Sequence, residues 1–280
     1  MRALVSRLLT HSFVDGPGNR AVIFLQGCQI ACLYCHNPQT QQVCNGCGVC
    51  VAGCPGGALS PGAPGGPLSW DPDLCQGCDQ CITICPNSAD PRALSYSPAE
   101  LMDWLRPLSR FVSGVTVSGG EPMLQAAFLA EFFPLVRQAG LSTMIETNGL
   151  VPWDAYERIL PWLDGALVDL KVWESDRHQA LTGMGNELLK ANLRRLVAAG
   201  KLAEVRMPII PGFSDTAAHV QAAAAYLAEL DPMIPVKLLR FRTHGTHGVA
   251  AGWTAPDEGL MAELMEVAQG AGLRVVTRSR

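Results

Sequence analysis

The chain of 280 residues has no run of about 18 apolar residues, so no segment is expected to span a membrane. Its first 19 residues carry Arg2 and Arg7 among short apolar pairs and lack the continuous apolar core of a secretory signal. Long basic runs are missing too, and the formal charge is −4, which argues against a nucleic-acid-binding surface. No cysteine follows Cys85, although the chain has eleven. Disulfide scaffolds are usually small, secreted and cysteine-rich throughout. An odd count confined to one region, with no export signal, points instead to metal ligation in a cytoplasmic protein.

Apolar residues make up 48% of the chain and charged residues 16%, enough for a sizeable core in one large α/β domain or two smaller ones. The apolar run from Ala21 to Gln26 reads as a buried strand that ends at Gly27-Cys28. From 39 to 91 Cys, Gly and Pro dominate. Beyond this region, helical patterns near 98–108, 124–139, 154–162, 187–199, 216–230 and 257–270 alternate with apolar segments near 112–117, 142–146, 165–170, 203–210 and 235–241. Such alternation implies parallel strands with right-handed crossovers, six in all, with a short seventh at 273–277. Alternation alone does not separate an open doubly wound sheet from a complete or partial barrel. Cys28, Gly119-Gly120-Glu121, Thr147-Asn148, Asp169-Lys171 and His244 all fall at or just past strand C-termini. Parallel α/β folds build their sites there.

The cysteines divide without remainder into Cys28-x3-Cys32-x2-Cys35, then Cys44, Cys47, Cys50 and Cys54, then Cys75, Cys78, Cys81 and Cys85. Each quartet has the x2-x2-x3 spacing of bacterial ferredoxins followed by proline, in which the fourth thiolate usually serves the other cluster. This pairs Cys44, Cys47 and Cys50 with Cys85, and Cys75, Cys78 and Cys81 with Cys54. Structural zinc also uses C-x2-C pairs, but two tandem four-cysteine runs favour [4Fe–4S] clusters. A segment this small cannot rely on an apolar core alone, so its clusters could act as staples; the spacing leaves open whether they also carry electrons. The first group lacks a fourth cysteine. Three thiolates leave one iron of a cubane open to a substrate.

A three-cysteine loop of this spacing after a strand resembles the signature of the radical S-adenosylmethionine (SAM) superfamily. Further stretches are similar to the activating enzymes of glycyl radical enzymes, relatives of pyruvate formate-lyase activase. They are Asp15-Gly-Pro-Gly-Asn-Arg20, Phe24-Leu-Gln-Gly-Cys28, Cys32-Leu-Tyr-Cys-His-Asn-Pro38, Ser118-Gly-Gly-Glu-Pro122, Glu146-Thr-Asn-Gly149, Asp169-Leu-Lys171 and Pro211-Gly212. With the two-cluster insert, Leu181-Thr-Gly183 and Lys201-Leu-Ala-Glu-Val-Arg206, the chain looks most like the YjjW-type activases.

The resemblance implies a partial (β/α)6 TIM-like barrel, formed by residues 1–38 and 92–280, with a ferredoxin-like insert at 39–91. It implies three [4Fe–4S] clusters, the one on Cys28, Cys32 and Cys35 binding SAM. Tyr34 and His36 would lie beside the adenine, the Gly119-Gly120 backbone would meet the methionine ammonium, and Glu121 would add negative charge. Asp169 and Lys171 would flank the ribose and carboxylate. Glu146, Thr147 and Asp169 match positions that hold a monovalent cation. Arg206 would stand at the cavity wall. A family histidine near the adenine falls at Arg242 in gapless register, with His244 two residues on.

The implied reaction is reductive cleavage of SAM, with electrons from flavodoxin or ferredoxin. The resulting radical removes a hydrogen from one glycine of a partner glycyl radical enzyme. The competing readings are a radical SAM enzyme acting on a small molecule or ribosomal peptide, and a non-catalytic electron-transfer protein. Peptide maturases usually carry auxiliary clusters towards the C-terminus, where this chain has no cysteine.

Overall fold

The computed structural model describes residues 1–63 and 65–276. Its strands are β1 (Ala3–Leu9), β2 (Arg20–Leu25), β3 (Leu59–Ser60), β4 (Ser69–Trp70), β5 (Leu94–Tyr96), β6 (Gly114–Gly119), β7 (Ser142–Thr147), β8 (Gly165–Asp169), β9 (Leu202–Ile209), β10 (Pro235–Arg240) and β11 (Arg274–Val275). The helices are α1 (Gln80–Thr83), α2 (Pro98–Leu105), α3 (Ala126–Gln138), α4 (Trp153–Glu157), α5 (Ser175–Thr182), α6 (Glu187–Ala198), α7 (Ala217–Leu230) and α8 (Glu258–Gly270). Among these residues no helix is long and apolar enough to cross a membrane.

Nine strands make one sheet in the order β11-β10-β9-β8-β7-β6-β2-β1-β5. The run from β2 through β6 to β11 is parallel throughout, as the alternation predicts. The expected seventh strand is present as β11; residue 277 lies outside the described residues. The strand order never reverses, as it would in a doubly wound sheet. Right-handed crossovers then put the helices on one face.

Period-2 alternation divides the strands. Ala21, Ile23, Leu25, Val115, Val117, Ile145, Ala166, Val168, Val205, Met207 and Ile209 share a core with Phe128, Leu129, Phe132, Phe133 and Val136 of α3. The intervening residues, among them Arg20, Thr116, Ser118, Glu146, Asp169, Glu204 and Arg206, face away from that core. Two strands and three helices depart from what the apolar pattern predicts, each for an identifiable reason. β1 and β5 are antiparallel additions beyond β2; Ser6 and Arg7 interrupt the apolar run of β1, which also carries a bulge between Val5 and Arg7. Helix α4 stops at Glu157, short of the expected 162, because Pro161 disfavours helix at the residue before it. Helix α2 ends in a 3-10 turn over Arg106–Leu108, which contains Pro107. Helix α5 escapes the pattern because most of its residues are polar, with only His178, Leu181 and Thr182 buried.

The region 39–91 holds the β3–β4 hairpin, α1 and a small core of Cys50, Leu59, Leu68 and Cys81. The Gln42–Ala89 bridge closes its two ends together, and the Gln26 amide ties it to the larger body by donating to the carbonyls of Gln39 and Gln42.

Among the described residues, Arg20 is the largest fully buried side chain. Its guanidinium donates to Thr116 Oγ1 at 2.6 Å, Val115 O at 2.7 Å and Ser142 Oγ at 3.0 Å, tying β2, β6 and β7 together. Burial pulls its pKa down to about 10. Replacing it with Met leaves buried acceptors unpaired, each costing about 1–3 kcal/mol. Arg20→Met is expected to lower the urea midpoint by at least that amount in free energy, and Arg20→Lys should not restore it, since an ammonium donates from one point.

Candidate active site

A cavity of about 230 Å³ opens at the carboxyl ends of the parallel strands. Its lining includes Cys28, Cys32, Tyr34, Cys35, His36, Gly119, Gly120, Glu146, Thr147, Asp169 and Lys171. Eleven of the fourteen positions singled out for SAM and its cluster therefore meet here; Glu121, Arg206 and His244 do not. The loop after β2 is held almost wholly by backbone. Gly27 N donates to Thr40 O and Cys28 N to Gln41 O, each at 2.8 Å. On the other side, Ala31 N donates to Thr182 O at 2.9 Å and Leu33 N to Leu181 O at 3.0 Å. Those acceptors are the last carbonyls of α5, exposed because Gly183 takes a left-handed φ of 88°. This gives the Leu181-Thr-Gly183 stretch a structural purpose.

Gly119 and Gly120 line the cavity, yet their lack of side chains first serves packing. A Cβ on Gly120 would stand 2.1 Å from Gly27 O, and one on Gly119 2.3 Å from Leu25 N. Glu121 does not line the cavity, but its negative charge reaches the site: after burial, it is a further cause that raises the Cys28 thiol. Its Oε1 accepts from Met123 N at 3.0 Å and Thr147 Oγ1 at 2.8 Å, while Oε2 accepts from Asn148 N at 2.8 Å. Burial pushes its carboxyl up to about 7, against these donors.

Burial also pushes the thiols up, Cys28 to about 11, Cys32 to about 12 and Cys35 in the same direction. Lys171 opposes this at all three. Its Nζ lies 2.8 Å from Asp169 Oδ2 and 5.8 Å from the centre of the Tyr34 ring. Although burial works against its charge, Asp169 holds the Lys171 pKa well above the usual range. Tyr34 is itself packed with Val172, Leu181, Ile210, Phe241 and Ala250.

Arg206 lies behind the cavity wall, buried rather than on the surface. It pairs with Glu146, with Glu204 at 2.9 Å, and donates to Val14 O at 2.8 Å. Glu146 also accepts from Ser118 Oγ at 2.6 Å. The cation set implied by the resemblance does not fit. A guanidinium already neutralises Glu146, Thr147 donates to Glu121, and Asp169 faces Lys171. His244 is exposed and off the cavity; the Arg242 carbonyl instead lies 2.8 Å from His36 Nε2. The lining also includes residues that sequence reasoning did not assign to the site, among them Asn148, Gln41, Thr40 and Arg240. Asn148 was visible as a strand-end polar residue, but nothing local places it beside Cys28.

Among the described residues no three Cys, His, Asp or Glu side chains converge as ligands for a single ion. The thiols stand around small volumes instead. Cys54, Cys75, Cys78 and Cys81 line one cavity of about 20 Å³. Cys50 is raised by burial first and then by its neighbours Cys44, Cys85 and Cys47. The sets that gather in space thus exchange their fourth members relative to the runs in sequence. At the cavity, Cys28, Cys32 and Cys35 fit a three-thiolate cubane.

A three-thiol loop at the carboxyl end of the first parallel strand is matched by family-level similarity: residues 22–220 match the model of the Radical SAM superfamily. The isethionate sulfite-lyase activating enzyme of Nitratidesulfovibrio vulgaris is 35% identical over 84% of this chain and 83% of its own length. The benzylsuccinate synthase activating enzyme of Thauera aromatica is 34% identical over 86% of this chain and 79% of its own. A solved domain of pyruvate-formate lyase-activating enzyme from Bacteroides vulgatus superposes with a TM-score of 0.53 at 25% identity, covering 59% of this chain and 98% of that one. The chain belongs to the radical SAM superfamily and, within it, to the activating enzymes of glycyl radical enzymes.

Because Glu121 accepts three hydrogen bonds in a buried place, Glu121→Gln turns one acceptor into a donor facing a donor. Unfolding in urea should show a loss of about 1–3 kcal/mol.

Proposed function

We propose that Cys28, Cys32 and Cys35 hold a [4Fe–4S] cluster whose open iron takes SAM, and that the target is one glycine of a partner glycyl radical enzyme. The observation that carries this is the set of three thiols, with no fourth, around a cavity that also contains Lys171, Asp169 and two glycines. When bound, the cluster supplies the electron that splits SAM into methionine and a 5′-deoxyadenosyl radical, which takes a hydrogen from the glycine Cα.

The chain's own residues prepare that site. Lys171, desolvated and held by Asp169, provides a positive point charge for the thiolates and for a carboxylate. Tyr34 and His36 offer ring faces and edges to an adenine. Gly119 and Gly120 leave their backbone open to an ammonium group. Arg206, between Glu146 and Glu204, stiffens the wall beneath them. The parallel run β2–β10 is read as a partial (β/α)6 barrel, whose open side would admit a glycine loop locally unfolded from its own protein.

Residues 39–91 are read as a ferredoxin-like insert with two [4Fe–4S] clusters, one on Cys44, Cys47, Cys50 and Cys85, the other on Cys54, Cys75, Cys78 and Cys81. The backbone of Gly77, then the Trp70 side chain, hold the Cys75 thiol below its ordinary range, which favours a ligating thiolate there. A flavodoxin or ferredoxin would supply electrons. Thiols serving as ligands belong in a reducing compartment, so the cytoplasm is part of this reading.

Anaerobic incubation with reductant, SAM and the partner should give 5′-deoxyadenosine and a glycyl-radical EPR doublet. Deoxyadenosine without the doublet would overturn the target. Cys32→Ala should retain eight irons per chain in the insert while SAM cleavage drops to background. Burial keeps the three site thiols protonated at neutral pH, so loading them releases protons. Iron uptake at this site should therefore rise with pH across the range where the protein stays folded, as measured by iron-titration midpoints in Cys-to-Ala insert variants.

A further inference from the structure

We propose that Asn148 is a positioning residue for the site cluster: its side-chain amide donates an N–H···S hydrogen bond to Cys28 and so raises the cluster's reduction potential. This rests on the reading of Cys28, Cys32 and Cys35 as ligands.

Asn148 follows β7, and its backbone N–H is taken by Glu121 Oε2 at 2.8 Å. Its Oδ1 accepts from Leu150 N at 2.9 Å and from Gln29 Nε2 at 3.0 Å. With both oxygen lone pairs engaged, the amide has one productive orientation. That orientation aims Nδ2 at Gln29 Oε1, 3.4 Å away, and at Cys28 Sγ, 3.8 Å away. The side chain reaches the thiol across 120 positions of sequence, from the end of β7, which is separated from β2 in the sheet by β6 alone. Asn148 is 6% exposed, so little water competes for the bond.

As a free thiol Cys28 can donate to Gln29 Oε1, 3.8 Å away. As a ligand it loses that proton and becomes an acceptor, for which Asn148 Nδ2 is already aimed. A donor to a ligating sulfur favours the more negative, reduced state, and hydrogen bonds of this kind are among the factors that set cluster potentials. Gln29 holds the donor in place, so the pair acts as one device.

The test is an EPR-monitored redox titration of the reconstituted full chain. The site cluster is recognised as the one whose reduced signal changes when SAM is added. At the potential where the wild-type site cluster is half reduced, Asn148→Leu should lower the ratio of reduced to oxidised cluster by about three- to tenfold, tenfold being 59 mV for one electron. Gln29→Leu should shift it less, in the same direction, and it decides the matter if Asn148→Leu does not accumulate as folded protein. A SAM-responsive cluster with unchanged potential in the folded variants would refute the role of Asn148. Absence of any SAM-responsive signal in the wild type would instead overturn the ligand assignment.

Discussion

The cavity depends on one close backbone approach, between the end of β2 and the end of β6. Glu121 N donates to Gly27 O and Gly120 N to Leu25 O, both at 2.8 Å. Neither bond could form with a Cβ on Gly120, which would meet Gly27 O at 2.1 Å. These contacts set where the cysteine loop leaves the sheet. The α5 carbonyls on one flank and Thr40 and Gln41 on the other then hold the loop at its margins.

A buried carboxylate extends this constraint to the next strand. Glu121 takes Met123 N from its own turn, and Thr147 Oγ1 and Asn148 N from the end of β7. The cysteine loop, the glycine pair and the β7 terminus thereby share one rigid framework. Asn148, held from behind by Glu121, presents its side chain to Cys28. Charge is arranged in two separate compartments around it. Lys171 and Asp169 face the cavity. Arg206 satisfies Glu146 and Glu204 behind the wall, so the carboxylates there carry a guanidinium counter-ion rather than a site for a free cation.

Much of the fold was legible because it rests on short-range pattern. Parallel strands and their helices announce themselves by apolar periodicity, although the pattern near 154–162 ran past the end of α4 at Glu157. β1 was hidden because its apolar residues are interrupted by Ser6 and Arg7, and β5 because it is a three-residue edge strand. Helix α5 was hidden because it is anchored by three buried residues in an otherwise polar stretch. The side chains that line the cavity were reached through motif resemblance, whereas the hydrogen bonds that tie Glu121 to the end of β7 left no local signal.

The sequence by itself determined the inventory of thiols: two quartets and a remainder of three, which leaves a cubane one protein ligand short. It also determined the parallel order of elements, since alternating strands and helices admit few connections. Tertiary structure decided which groups meet. It gathered Cys54 with Cys75, Cys78 and Cys81, turned Glu121 inward and brought Asn148 to Cys28 across 120 residues. Spacing acts within a turn or a loop. Contacts between distant segments form only after the sheet has brought their strand ends together.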